Sequence, residues 1–103
     1  MTNADEGEMR IERPAMGLSH DDFFRVFPSV VAPALWRRDG LTIYVELGPG
    51  ASIAASLSAQ KLRRIASLSL PYLDITFDFR GVAVTDRERF LTRFDRAFQK
   101  GGG

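Results

Sequence analysis

Residues 51–70 read ASIAASLSAQKLRRIASLSL, and whether they form strand or helix decides the fold. Ile53, Ala55 and Leu57 recur at every second residue, the period of a half-buried strand. Ala54, Leu57, Leu62, Ile65 and Leu68 approximate a helical stripe, and Ala, Gln, Lys and Arg favour helix. The following stretch tips the balance. Leu73, Ile75, Phe77 and Phe79 alternate with Asp74, Thr76, Asp78 and Arg80, the clearest strand pattern in the chain, and Gly81 ends it. With a turn at Pro71-Tyr72, Leu70 faces Leu73, Leu68 faces Ile75 and Ala66 faces Phe77, so the apolar side chains share one face. Residues 51–70 are therefore expected to be strand, with a bulge near Gln60 reconciling the two halves.

Upstream lies a second pair of strands. Asp39-Gly40 is a strong two-residue hairpin turn. It sets Arg38 opposite Leu41, Trp36 opposite Ile43 and Ala34 opposite Val45. Leu41, Ile43, Val45 and Leu47 form one face of the second strand, and Thr42, Tyr44 and Glu46 the other. Gly48-Pro49-Gly50 is a turn.

Helices flank the strands. Ser19 is a natural N-cap with Asp22 three residues on, and Phe23, Phe24, Phe27, Val30 and Val31 form one apolar stripe. Pro28 removes a backbone donor, so the helix should kink there or end and restart; Pro33 closes it. Thr85 with Glu88 has the form of a capping box, ahead of the stripe Phe90, Leu91, Phe94, Ala97 and Phe98. Arg87, Arg89, Arg93 and Arg96 are expected outside or on the flanks, Lys100 at the negative end of the helix dipole, and Gly101 as the stop. The result is an α+β fold of order α-β-β-β-β-α, an antiparallel four-stranded sheet with both helices on one face. Residues 18–100 form the single domain. Residues 1–17 are expected to be a flexible leader, within which Ile11 adds at most a short extended contact, and 101–103 a flexible glycine tail.

Composition limits function. A chain of 103 residues, 45% hydrophobic and 26% charged, is one ordinary globular domain, too small for an active site between two lobes. With no cysteine there is no disulfide, thiolate metal site or thiol nucleophile. No run of 18 apolar residues is present, so no transmembrane helix is expected. Residues 1–13 are polar and acidic, unlike a secretory signal, and a cytoplasmic location is expected. The net charge of +1 hides an asymmetry. Residues 1–22 carry six acids and two arginines; residues 23–103 carry twelve bases and seven acids.

No constellation for chemistry emerges, so neither cofactor nor metal is expected. His20 is the only histidine and falls in a helix's first turn, where it reads as exposed. Ser58 and Lys61 match S-x-x-K, but the partner motifs of that chemistry are missing. Gly48-Pro49-Gly50-Ala51-Ser52 lacks the G-K-[ST] of a phosphate loop. Asp74 and Asp78 share a strand face but stand roughly 13 Å apart along the strand, too far for a glycosidase pair. Ion pairing across the sheet suits them better.

What remains is the sheet face that the helices leave bare. Arg37, Tyr44, Glu46, Arg63, Asp74, Thr76, Asp78 and Arg80 are expected to line it. Such a platform suits a binding or protein-interaction domain without catalytic activity, in its simplest version a homodimer joined by that face or an edge strand. Three rivals stand beside it, one of them a small enzyme, which would need a concave pocket with a strongly shifted acid or base. Arg37-Arg38, Arg63-Arg64 and Tyr44 suit nucleic acid, although Glu46, Asp74 and Asp78 repel phosphate. The element order is similar to that of double-stranded-RNA-binding domains, without their basic helix start. The Gly101-Gly102-Gly103 ending is similar to the tail of ubiquitin-like carrier proteins, but it follows a helix rather than a final strand.

Two segments, LSLPYLDITFDFRG (68–81) and FLTRFDRAFQKGGG (90–103), resemble the ending of a group of small bacterial proteins. The resemblance covers about the last third of the chain. It implies a native tail, and it carries no activity or functional residue across.

Overall fold

Ser19 caps the first helix as its spacing predicts. Its Oγ accepts the Asp22 N–H at 3.0 Å, and an Asp22 carboxylate oxygen accepts the Ser19 N–H at 3.4 Å. The computed structural model describes residues 8–102. The expectations placed on residues 1–7, the Lys100 side chain and Gly103 lie outside the described residues. Helix α1 (His20–Val31) continues past Pro28 instead of ending there. Phe27, Val30 and Val31, buried on either side of the proline, hold the turn in place, and the Ala32 N–H closes on the Pro28 carbonyl at 3.0 Å.

Six strands follow the order β1-β6-β4-β3-β2, with β5 also paired to β6. They are β1 (Glu8–Met16), β2 (Leu35–Asp39), β3 (Thr42–Gly48), β4 (Ala51–Leu57), β5 (Lys61–Ile65) and β6 (Leu68–Arg80). Every pairing is antiparallel. The fold class is α+β as expected, but the sheet has six strands rather than four. One addition is β1, which occupies residues read from the sequence as leader. Met9 and Ile11 pair with Phe79 and Phe77 and pack against the core. Their alternation is diluted by Glu8, Arg10, Glu12 and Arg13, so an edge strand passes for a charged leader.

The other addition comes from residues 51–70. They are strand, as read, but the chain turns five residues earlier than expected. Ile65 pairs with Leu68, so Ala66-Ser67 is the turn and β6 continues through Pro71-Tyr72. Proline is tolerated because it lies beyond the part of β6 that is flanked on both sides. Between Leu57↔Ile75 and Lys61↔Tyr72 one strand advances four residues and the other three. This is the irregularity expected near Gln60. Ser58 makes the corner: its N–H donates to the Asp74 carbonyl, and its Oγ accepts the Asp74 N–H, both at 2.9 Å.

The β2–β3 turn is also shifted. Asp39 pairs with Thr42, so the loop is Gly40-Leu41, and Trp36 faces Val45 rather than Ile43. Gly40, at φ +64°, takes the first central position, one of the two glycine placements that two-residue hairpin loops favour.

Helix α2 (Val84–Gly102) begins ahead of Thr85, which therefore sits in the first turn rather than capping it. The Arg87 N–H donates to the Ala83 carbonyl, and buried Val82 anchors the connection. Arg87 is buried rather than outward. The helix extends past the expected stop at Gly101. Phe90, Phe94 and Phe98 are buried as read. The Phe94 ring lies 4.8 Å from Phe77 on the sheet, edge to face, and 6.4 Å from Phe27 on α1. Both helices thus cover the face carrying Ile43, Val45, Ile53, Ala55, Phe77 and Phe79. Edge-to-face aromatic pairs add about 0.5–1.5 kcal/mol each beyond area burial.

Candidate binding face

Partners across a strand pair point the same way, so the register assembles the uncovered face row by row. One row runs Arg37, Tyr44, Ala54, Asp78, Arg10 across β2, β3, β4, β6 and β1. The row on one side is Asp39, Thr42, Ser56, Thr76, Glu12, and on the other Leu35, Glu46, Ser52, Arg80, Glu8. The middle strand therefore contributes only Ser52, Ala54 and Ser56. Small side chains between Tyr44 and the Arg10–Asp78 pair leave a trough of about 640 Å3.

Half of the charged side chains in these rows are ion-paired within them. Arg10 Nε donates to Asp78 Oδ1 at 2.8 Å, which holds the guanidinium above its ordinary pKa. Arg80 lies 3.2 Å from Glu8. Asp74 accepts the Ala15 N–H at 2.8 Å and has Lys61 at 3.9 Å. The expected cross-sheet pairing of Asp74 and Asp78 is therefore present. Arg37 lies over the Tyr44 ring at 4.3 Å, a cation–π contact across β2 and β3. Glu12, Asp39 and Glu46 have no ion-pair partner among the described residues.

Seven of the eight residues read from the sequence, Arg37, Tyr44, Glu46, Asp74, Thr76, Asp78 and Arg80, fall on this one face of the main sheet. Arg63 does not join them in the rows. It lies on β5, in the β5–β6 hairpin, where residues 68–72 of β6 pair with β5 and with neither β1 nor β4. Its guanidinium sits 4.8 Å from the Tyr72 ring. Tyr72 falls on the same side of β6 as Asp74, Thr76 and Asp78, so the arm continues the open face. Reading Pro71-Tyr72 as a turn hid Tyr72, and reading residues 1–17 as leader hid Glu8, Arg10 and Glu12. The small-residue floor was visible as Ser52-x-Ala54-x-Ser56, a polar-side register of unusual smallness.

His20 is half-buried rather than free in solvent. Its Nε2 lies 2.8 Å from the Ser58 carbonyl oxygen, to which the Nε2–H tautomer donates, and its backbone N–H donates to Gln60 Oε1 at 2.8 Å. The N-terminus of α1 thereby grips the corner from which the arm departs. Among the described residues, no group of three His, Cys, Asp or Glu side chains is placed to hold a metal ion. No described helix is long and apolar enough to cross a membrane. Comparison with protein-family models, curated proteins and solved structures returns no match.

Proposed function

We propose that the protein is a binding or protein-interaction domain without catalytic activity, working through the open face of its sheet, most simply as a homodimer. The observation that carries this reading is the trough over Ser52 and Ala54, which neither helix covers. A sheet exposed on one side is common. A sheet whose exposed side is hollowed at Ser52 and Ala54 and rimmed by Tyr44, Arg10 and Asp78 is shaped to receive something. The carboxylates nearest the trough are held in ion pairs, which suits docking better than proton transfer.

The nucleic-acid alternative draws on Lys61, Arg63, Arg64 and Tyr72 of the arm, where two cations lie near one ring. Against it, the three rows hold five carboxylates and three guanidiniums. The carrier alternative takes no support from α2, which stays helical through Gly102.

Sedimentation across about 1 to 200 µM protein tests the reading, since association follows concentration. The wild type is expected to self-associate, and Ala54→Arg, which fills the trough, to be monomeric with an unchanged circular dichroism spectrum. A wild type that stays monomeric throughout overturns the homodimer.

A further inference from the structure

We propose that the β5–β6 arm of one copy lies in the sheet trough of a second copy, and the second copy's arm in the trough of the first. This rests on the open-face reading above and names the occupant of that face.

The arm leaves its apolar residues uncovered. Ile65, Leu68 and Leu70 are 52%, 60% and 43% exposed. The pairing of β5 with β6 puts them on one side together with Lys61, Arg63 and Tyr72. That is the side of the open face. The arm's edges are guarded. Pro71 has no N–H to offer along β6, and β5 carries Lys61, Arg63 and Arg64 in five residues. Charge and proline on an edge oppose pairing with another strand. The arm is therefore built to be covered on its face, not extended at its edge.

The second copy fits that face in charge and shape. On that side the arm has two cations, Lys61 and Arg63, and no acid, and Arg63 has no carboxylate partner among the described residues. The three rows of the body contain Glu12, Asp39 and Glu46, also without ion-pair partners. Large side chains project from the arm, and small ones floor the trough. β6 runs on from the body into the arm as one strand, so the arm cannot fold back into its own trough.

A two-fold axis between facing sheets, perpendicular to β6 and passing near Asp74, satisfies both copies at once. It lays Arg63 and Leu70 over the partner's Ala54 and Asp78, and Ile65 and Leu68 over the partner's Ser52 and Arg80. Asp74 at the axis already holds Lys61 and the Ala15 N–H. The contact is isologous, so it closes as a dimer.

The chain contains no cysteine, so single introduced thiols report unambiguously. An equal mixture of Arg63→Cys and Ala54→Cys proteins, mildly oxidised, is expected to form the mixed disulfide dimer in preference to either self-linked dimer. Leu68→Asp with Leu70→Asp, both exposed in one copy, is expected to weaken the dimer about a hundredfold or more without altering its circular dichroism. A dimer that resists the arm variant and gives no mixed disulfide, yet is broken by Ala54→Arg, overturns the arm contact and leaves the open-face reading standing. A monomeric wild type overturns both. Retention of a monomeric protein on single-stranded nucleic acid, lost steeply with salt, assigns the arm to phosphate instead.

Discussion

Arg13 on β1 grips Asp95 on α2 with two prongs, Nε to Oδ1 at 3.0 Å and Nη2 to Oδ2 at 2.9 Å, across 82 residues of sequence. The pair joins the edge strand to the last helix. Both side chains are part-exposed, so the geometry contributes at the upper end of the surface range, about 0.5–1 kcal/mol. Arg13→Ala and Asp95→Ala are each expected to lower stability by about that much, and the double variant by little more than either alone. Urea unfolding of the four proteins checks the cycle. Additive losses would show that the two residues act separately.

Acid should weaken α1 through Asp22. A hydrogen bond from Arg25 does most to hold this carboxyl below its usual pKa; those from the Ser19 hydroxyl and amide help, and partial desolvation opposes. The folded value is depressed, so the stabilisation is fully present above the unfolded value near pH 4 and is lost as pH falls through the folded value. Asp22→Asn should therefore lie below the wild type at neutral pH and approach it in acid. The gap is about 1 kcal/mol or less for a side chain this exposed. Thermal midpoints between pH 2 and pH 7 measure it; a gap unchanged with pH would remove Asp22 from the acid response.

Gly81 ends β6 at φ +67°, and a Cβ there would run into the Gly50 carbonyl oxygen. The left-handed backbone alone costs a non-glycine residue about 1–3 kcal/mol, and the obstacle is backbone, which cannot swing aside. Gly81→Ala should thus cost more than Gly40→Ala, where φ is similar but the space is open. Denaturation midpoints of the two variants decide the ranking.

Which parts of this molecule could be read beforehand follows from where the information resides. Local signals were reliable where one face is fully buried: Ser19 with Asp22, Phe90 with Phe94 and Phe98, and the alternation from Leu73 to Phe79. They failed where a strand has little core to declare it. In β1 Met9, Ile11 and Met16 turn inward among charges, and β5 is exposed at every residue. The turns misled because proline and Asp-Gly are usual turn formers, while Ala66 at φ +55° is not. Seven of the face residues were legible because strand alternation survives an error in register: shifting the pairing of β2 with β3 by two residues leaves Arg37 and Tyr44 on the same side.

The core should be least tolerant at Phe94, fully buried and in ring contact with Phe23, Phe27, Phe77, Phe90 and Phe98. Phe94→Ala is expected to cost about 3–5 kcal/mol, a large share of the stability of a domain this size. Phe24→Ala should cost less, because Phe24 is only partly buried, beneath the Arg38 guanidinium 3.5 Å away. Equal losses from the two would mean that the core is not organised around Phe94.

The tip of the arm carries a strain that can be relieved without touching the body. Ala66 sits at φ +55°, where a Cβ is crowded and asparagine is better tolerated. Ala66→Asn should firm the hairpin by a fraction of the roughly 1 kcal/mol that alanine pays there. The arm adds little to the buried core, so global unfolding should hardly move. Amide exchange of the paired residues Lys61–Ile65 and Leu68–Tyr72 should slow, while Phe77 is unchanged. Ser58→Ala should do the reverse at the other end of the arm, by depriving the Asp74 N–H of its acceptor. If exchange in the arm responds to neither change, its order is set elsewhere than at its tip and its corner.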